Sequence, residues 1–170
     1  MVDNKLANML GVSFQEAQNL IAKYNSKAPF VKQLSDRCMQ KANGEGVIRT
    51  KLGRKCRFDM WETKDFGIHT PETFENASAK YGASNIKRAF TYKALNRLIQ
   101  GSTADQTKQA IVTCAEQGFT PLLQIHDELC FNISDDNDIE KIKSAMEGCV
   151  KLKVPSVVDV AIGKDFGEAT

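Results

Sequence analysis

The chain has 170 residues, 42% of them apolar and 26% charged, with a formal net charge of +2. That balance excludes wholesale disorder, and no apolar run reaches the roughly 20 residues a membrane helix needs, so no membrane partner is expected. Five dispersed cysteines without a CxxC, and only two histidines (His69 and His126), exclude a disulfide framework, a zinc ribbon and a His-rich metal site.

The opening MVDNKLANML is too short and too polar for a secretory h-region, which with the cysteine usage gives a cytoplasmic expectation. Residues 3–10 read as a short helix, with Asp3 as candidate cap, Leu6, Met9 and Leu10 on one side, and Gly11 as its end. Ser13 to Glu16 has the pattern of a capping box, in which each residue satisfies the other's free amide. Ala17, Leu20, Ile21 and Tyr24 follow at helical spacing. Pro29 interrupts, and a second helix fits Phe30 to about Ala42, stopped by Asn43-Gly44-Glu45-Gly46. Gly46 to Phe58 alternates as two strands around Leu52-Gly53, crowded with Arg49, Lys51, Arg54, Lys55 and Arg57.

Residues 59–80 read as irregular. Ser84 to about Gly118 reads as one long helix with Ile86, Phe90, Leu95, Leu98 and Ile99 as core positions, weakened locally at Gly101. Residues 1–58 carry 11 basic against 4 acidic side chains, and in residues 80–108 Asp105 is the lone acid among six cations. Two basic segments in a nearly neutral chain point to a polyanionic partner or to a solvated face, and charge alone leaves both open.

Pro121 to Ile133 places His126-Asp127-Glu128 between two apolar runs, the pattern of a hairpin with a polar tight turn. Ser134-Asp135-Asp136 then caps a helix to about Cys149, and Val157 to Ile162 reads as a closing strand. The order of elements gives an α+β fold in one unit over residues 1–170, with helices segregated on one side of an antiparallel sheet. Ionised carboxylates between apolar strands need a reason. A surface turn is one, and a divalent metal site is the other, because carboxylate oxygens suit Mg²⁺.

QIHDEL (Gln124–Leu129) resembles the third motif of family A DNA polymerases, those related to bacterial DNA polymerase I. Asn4–Val31 resembles the stretch after that family's nucleotide-binding fingers helix. GVIRTKLGRKCRF (Gly46–Phe58) looks like its G-Y-x-x-T-x-x-G-R-R segment, and ALNRLIQGSTADQTKQA (Ala94–Ala110) like its N-x-x-x-Q-G-[ST]-x-A-D helix. The tail Val158–Ala169 resembles its closing strand and terminal G-x-x-W-x-E-A, with Phe166 where Trp is usual. The resemblance covers nearly the whole chain, with the motifs in order.

The resemblance implies the C-terminal palm and fingers-base part of a polymerase: an antiparallel palm sheet with the motif hairpin, packed on helices that include one long helix. It implies addition of deoxynucleotides to a primer 3′-hydroxyl, with two Mg²⁺ ions in the complete enzyme activating the attacking oxygen and shielding the leaving one. Asp127 maps to a metal ligand, Glu128 to a supporting role and His126 to a place near the primer terminus. Asn96 and Gln100 match positions that touch the primer–template; an amide suits the minor-groove edge of a new pair. Where many members carry Arg, this chain has Tyr92, and Arg88 and Lys93 are the candidate substitutes. Arg49, Arg54, Lys55 and Arg57 are candidate phosphate contacts.

The family's first motif, D-Y-S-x-[IL]-E-x-R, which supplies the other metal-binding Asp, does not occur in these residues, nor does the fingers motif R-x-x-x-K-x-x-x-[FY]-x-x-x-Y-G. The expectation is a chain silent on its own, a split-gene subunit as in phages, a fragment or an incomplete reading frame, whose partners are primer–template DNA, deoxynucleoside triphosphates and an N-terminal polymerase segment or subunit. Two other readings compete. One is a DNA-binding or assembly subunit without chemistry. The other is a metal phosphohydrolase of the HD superfamily using His69, His126-Asp127 and Asp159, which requires the HD pair on a helix.

Overall fold

A computed structural model describes residues 2–65, 67 and 69–169, with the side chains of Val2 and Asp3 outside that description. The Asp3 cap therefore lies outside the described part. The chain divides into two compact units, Met1–Arg49 with Lys55–Leu98, and Thr50–Arg54 with Ile99–Thr170.

The first unit opens with α1 (Val2–Leu10), α2 (Phe14–Lys27) and α3 (Pro29–Glu45). The capping box forms as read: Ser13 Oγ accepts from Glu16 N at 3.2 Å, and Glu16 Oε2 accepts from Ser13 N at 2.9 Å. The Ser13 amide and the Ser13 hydroxyl, which donates to Glu16 Oε2 at 2.8 Å, favour the charged carboxylate and hold Glu16 below the ordinary carboxyl range. The buried contacts of these helices are small, with Ala7, Ala17, Cys38 and Ala42 inside. Met9 and Leu10, read on one side of their helix, and Leu20 and Tyr24, read at helical spacing, stay exposed. Helix α3 runs through Asn43 and Gly44, which were expected to stop it, and ends where Gly46 takes φ +70°.

Strands β1 (Val47–Arg49) and β2 (Lys55–Arg57) pair antiparallel, as the alternation predicts. Residues 59–80, read as irregular, contain two regular elements. They hold β3 (Trp61–Thr63) and α4 (Phe74–Tyr81), capped by Thr73. The single helix expected from Ser84 is also corrected. Ala83–Asn85 is a 3-10 turn, β4 (Ile86–Arg88) pairs with β3, Thr91–Lys93 is a second 3-10 turn, and α5 begins only at Ala94. The core gathers Cys38, Ala42, Ile48, Phe58 and Ala94, with Cys56, Leu95 and Leu98 against it. Ile99, expected in the core, is exposed.

Helix α5 (Ala94–Glu116) spans 23 residues and continues into the second unit. There β5 (Leu123–Ile125) and β6 (Glu128–Cys130) form the expected hairpin, followed by α6 (Asn137–Gly148). Asp135 Oδ1 accepts from Asn137 N at 2.9 Å in an Asx turn just ahead of the helix, while the N-cap residue Asp136 makes no side-chain cap hydrogen bond. Cys114, Ile142 and Ala145 form the core, packed by Phe119, Phe131, Ile133 and Met146. Val157 to Ile162, expected as a closing strand, has no ladder partner among the described residues and is irregular.

The architecture is thus α+β, with three separate two-stranded antiparallel sheets among the described residues in place of one continuous sheet. Among the described residues no helix is long and apolar enough to cross a membrane.

Candidate functional site

The hairpin β5–β6 is built by its own sequence. Leu123, Gln124 and Ile125 pair with Cys130, Leu129 and Glu128, leaving His126 and Asp127 as a two-residue turn. Such a turn demands a positive φ, and His126 supplies it at +52°, a conformation histidine tolerates better than branched residues do. Gln124 Nε2 donates to His126 O at 3.1 Å and braces the bend. His126, Asp127 and Glu128 are all exposed. The HD-superfamily reading fails here, because His126-Asp127 sits between strands and not on a helix.

Asp127 and the adjacent Glu128 offer hard oxygen donors of the kind magnesium takes. Among the described residues no three His, Cys, Asp or Glu side chains gather to hold a metal ion. The donor type fits the ion, and the donor number falls short of a complete site.

In the first unit, β1 and β2 sort charge by face. Arg49 lies opposite Lys55, and Arg57 lies two residues beyond Lys55, so strand alternation puts all three on one face. All three are exposed, while Ile48 and Cys56 on the opposite face join the core. Arg97 steadies the end of the ladder: Nη1 donates to Arg57 O at 3.0 Å, and its guanidinium lies 4.7 Å from the Phe58 ring centroid.

Two other predicted cations are placed differently. Arg88 donates through Nη1 to Phe58 O at 2.9 Å and lies 4.6 Å from the Trp61 ring centroid, which turns its charge into the unit's own packing. Its Nε is buried without a hydrogen-bond partner. Lys93 is exposed, with Nζ 5.0 Å from the Phe90 centroid and 5.6 Å from that of Tyr92. Tyr92 is itself exposed. Asn96 and Gln100 are exposed and lie one helical turn apart on α5.

In the second unit Arg54 does not stand free. Its Nε donates to Asp105 Oδ1 at 2.6 Å and its Nη2 to Gly101 O at 2.8 Å, yet 46% of the side chain remains exposed. Thr50 Oγ1 donates to Asp105 Oδ2 at 2.5 Å. The Thr50 hydroxyl, then Arg54 and Lys108, hold Asp105 below the ordinary carboxyl range despite its burial. A shallow groove of about 270 Å³ is lined by Leu52, Arg54, Asp105, Lys108, Gln109 and Val112, two cations against one carboxylate. Sequence reasoning gave Asp105 no role. Its signal was its isolation as the one acid in a basic stretch.

Residues 1–168 match the family model described as DNA polymerase family A. A DNA-directed DNA polymerase of Pseudomonas phage M6 is 37% identical over 91% of this chain and 20% of its own length. DNA polymerase I of Pseudomonas aeruginosa is 31% identical over 96% of this chain and 17% of its own length. This chain therefore spans about a fifth of the curated relatives it matches. Among solved structures, the POL domain of Pol1 from M. smegmatis, in complex with DNA primer-template and dNTP, superposes with a TM-score of 0.72 and 26% identity, over 98% of this chain and 28% of that one.

Proposed function

The chain belongs to DNA polymerase family A, and on that premise we propose that it is the C-terminal palm and fingers-base part of a DNA-directed DNA polymerase. The observation that carries this reading is the QIHDEL segment folded as a hairpin with Asp127 at its exposed two-residue turn. The substrates are a primer–template duplex and deoxynucleoside triphosphates, the ligands named for the solved relative.

Asp127 is the metal-holding carboxylate of this chain, with Glu128 supporting it. Bound magnesium supplies neutralisation of phosphate charge and activation of the primer hydroxyl. The chain's own residues do the positioning. The two-residue turn fixes Asp127 relative to the β5–β6 ladder, and the tilt of His126 is set by its φ and by Gln124. Arg49, Lys55 and Arg57, together with Arg54, meet backbone phosphates, and Lys93 adds charge beside exposed Tyr92. Asn96 and Gln100 present amides to the base-pair edge. Arg88 is left out of this set, because its guanidinium is engaged within the fold.

Catalysis needs a second carboxylate source, which these residues do not contain. We assign it to a polymerase segment carrying the first motif, whether on the same polypeptide or another. The exposed Met9, Leu10, Phe14, Leu20, Tyr24 and Phe30 support that reading, since apolar side chains left outside one unit suit a piece of a larger assembly.

The test is primer extension by this chain together with a segment bearing the first motif and the fingers helix. Asp127→Ala is expected to lower the extension rate by roughly a hundredfold or more, and Glu128→Gln by less. Full activity in the Asp127→Ala variant would overturn the assignment. Salt-sensitive duplex binding without extension by the complemented wild type would favour the non-catalytic DNA-binding reading that the cation face also permits.

A further inference from the structure

The residues assigned so far make no use of Asp105, although it is buried and both of its carboxylate oxygens are bonded. Four hydrogen bonds tie the turn Thr50–Arg54 to one stretch of α5: Thr50 and Arg54 to Asp105, Arg54 to Gly101 O, and Lys51 N to Ser102 Oγ at 3.0 Å. Thr50 Oγ1 also accepts from Arg54 N at 3.0 Å, so the hydroxyl links both ends of the turn to the same carboxylate.

Arginine is a long side chain with much rotamer freedom, and ordering it opposes binding. Here the ordering is done before any ligand arrives. Asp105 takes the Nε edge and Gly101 O takes Nη2, while 46% of the side chain stays exposed, and Arg54 and Lys108 both line the shallow groove. We propose that Asp105 is a positioning residue for DNA: it holds Arg54 in the orientation that meets a backbone phosphate. This rests on the DNA-binding reading given above. It also has a distinctive sign. A carboxylate near a phosphate repels it, so an Asp105 acting only by its charge would weaken DNA binding. A positioning Asp105 strengthens it in spite of that repulsion.

The experiment measures binding of a fluorescein-labelled primer–template duplex to the full chain across a salt series, with Asp105→Asn, Arg54→Gln and the double variant. Asp105→Asn is expected to bind roughly five- to tenfold more weakly, and its logarithmic salt slope to fall by about 0.9, one phosphate contact. In the Arg54→Gln background the same change is expected to cause no further loss. Tighter or unchanged binding by Asp105→Asn, or losses that simply add, would overturn the proposal. If thermal melting shows that Asp105→Asn does not fold, Arg54→Lys takes its place. It keeps the charge but not the fork that bridges Asp105 and Gly101 O, so it is expected to bind as weakly as Arg54→Gln, and wild-type binding would overturn the proposal. A wild-type chain that binds duplex at no salt concentration would overturn both this proposal and the DNA-binding reading, whereas failure of the variants alone overturns only the former.

Discussion

At the scale of single residues, environment separates carboxylates that look alike in sequence. Asp127 is exposed at a turn, while Asp105 is buried and bonded to a hydroxyl and a guanidinium. Thr50, Arg54 and Lys108 all favour the charged form of Asp105, and its folded pKa lies below the ordinary 3.8. A carboxyl with a depressed folded pKa contributes stability above its unfolded value and loses it as pH falls through the folded one. Wild type is therefore expected to be more stable than Asp105→Asn at neutral pH, with the gap closing below about pH 4. Urea unfolding at neutral and acid pH checks this, and a gap independent of pH would contradict it. The same residue scale explains Arg88. Read from sequence it is one more cation in a basic segment, but the Phe58 carbonyl and the Trp61 ring claim it.

At the scale of elements, local signals were legible and nonlocal ones were not. The capping box and both hairpins are written in adjacent residues and form, whereas α3, expected to end at about Ala42, runs on to Glu45 before Gly46 ends it. Ile86, Phe90, Leu95 and Leu98 fall at spacings of three to five, which imitates a helix. Yet Ile86 belongs to a strand whose partner, Thr63, lies 23 residues back in the chain. Val157 to Ile162 shows the opposite failure, since alternation predicts a strand only where a partner exists to pair with it. Two glycines at the C-terminal end of α3, one inside it and one just past it, give predictions of opposite sign. Gly44 lies within the helix with nothing within 4 Å of a built Cβ, so Gly44→Ala is expected to stabilise by about 0.5–1 kcal/mol. Gly46 has φ +70°, and a Cβ there would lie 2.6 Å from Arg88 Cζ. Gly46→Ala is expected to cost at least about 1–2 kcal/mol and to displace Arg88 from Trp61. Thermal melts order the three proteins, and matching melts for the two variants would contradict the assignment of Gly46 as a left-handed cap.

At the scale of the whole molecule, the family could be read from motif order, and the family model and relatives bear it out. The candidate site was legible in part. The sequence located the Asp127 turn and the β1–β2 cations, because hairpin and strand patterns are local. It did not reveal that Arg54 is held by Asp105, a contact between residues 51 positions apart. The proposed role is that this chain supplies one carboxylate of the catalytic site and, separately, cations that meet DNA. Primer extension by the purified chain, with and without a segment carrying the first motif and the fingers helix, tests that most directly. No extension is expected from the chain alone, and templated extension is expected once the segment is added. Extension by the chain alone, or none in the mixture although duplex DNA is bound, would contradict it.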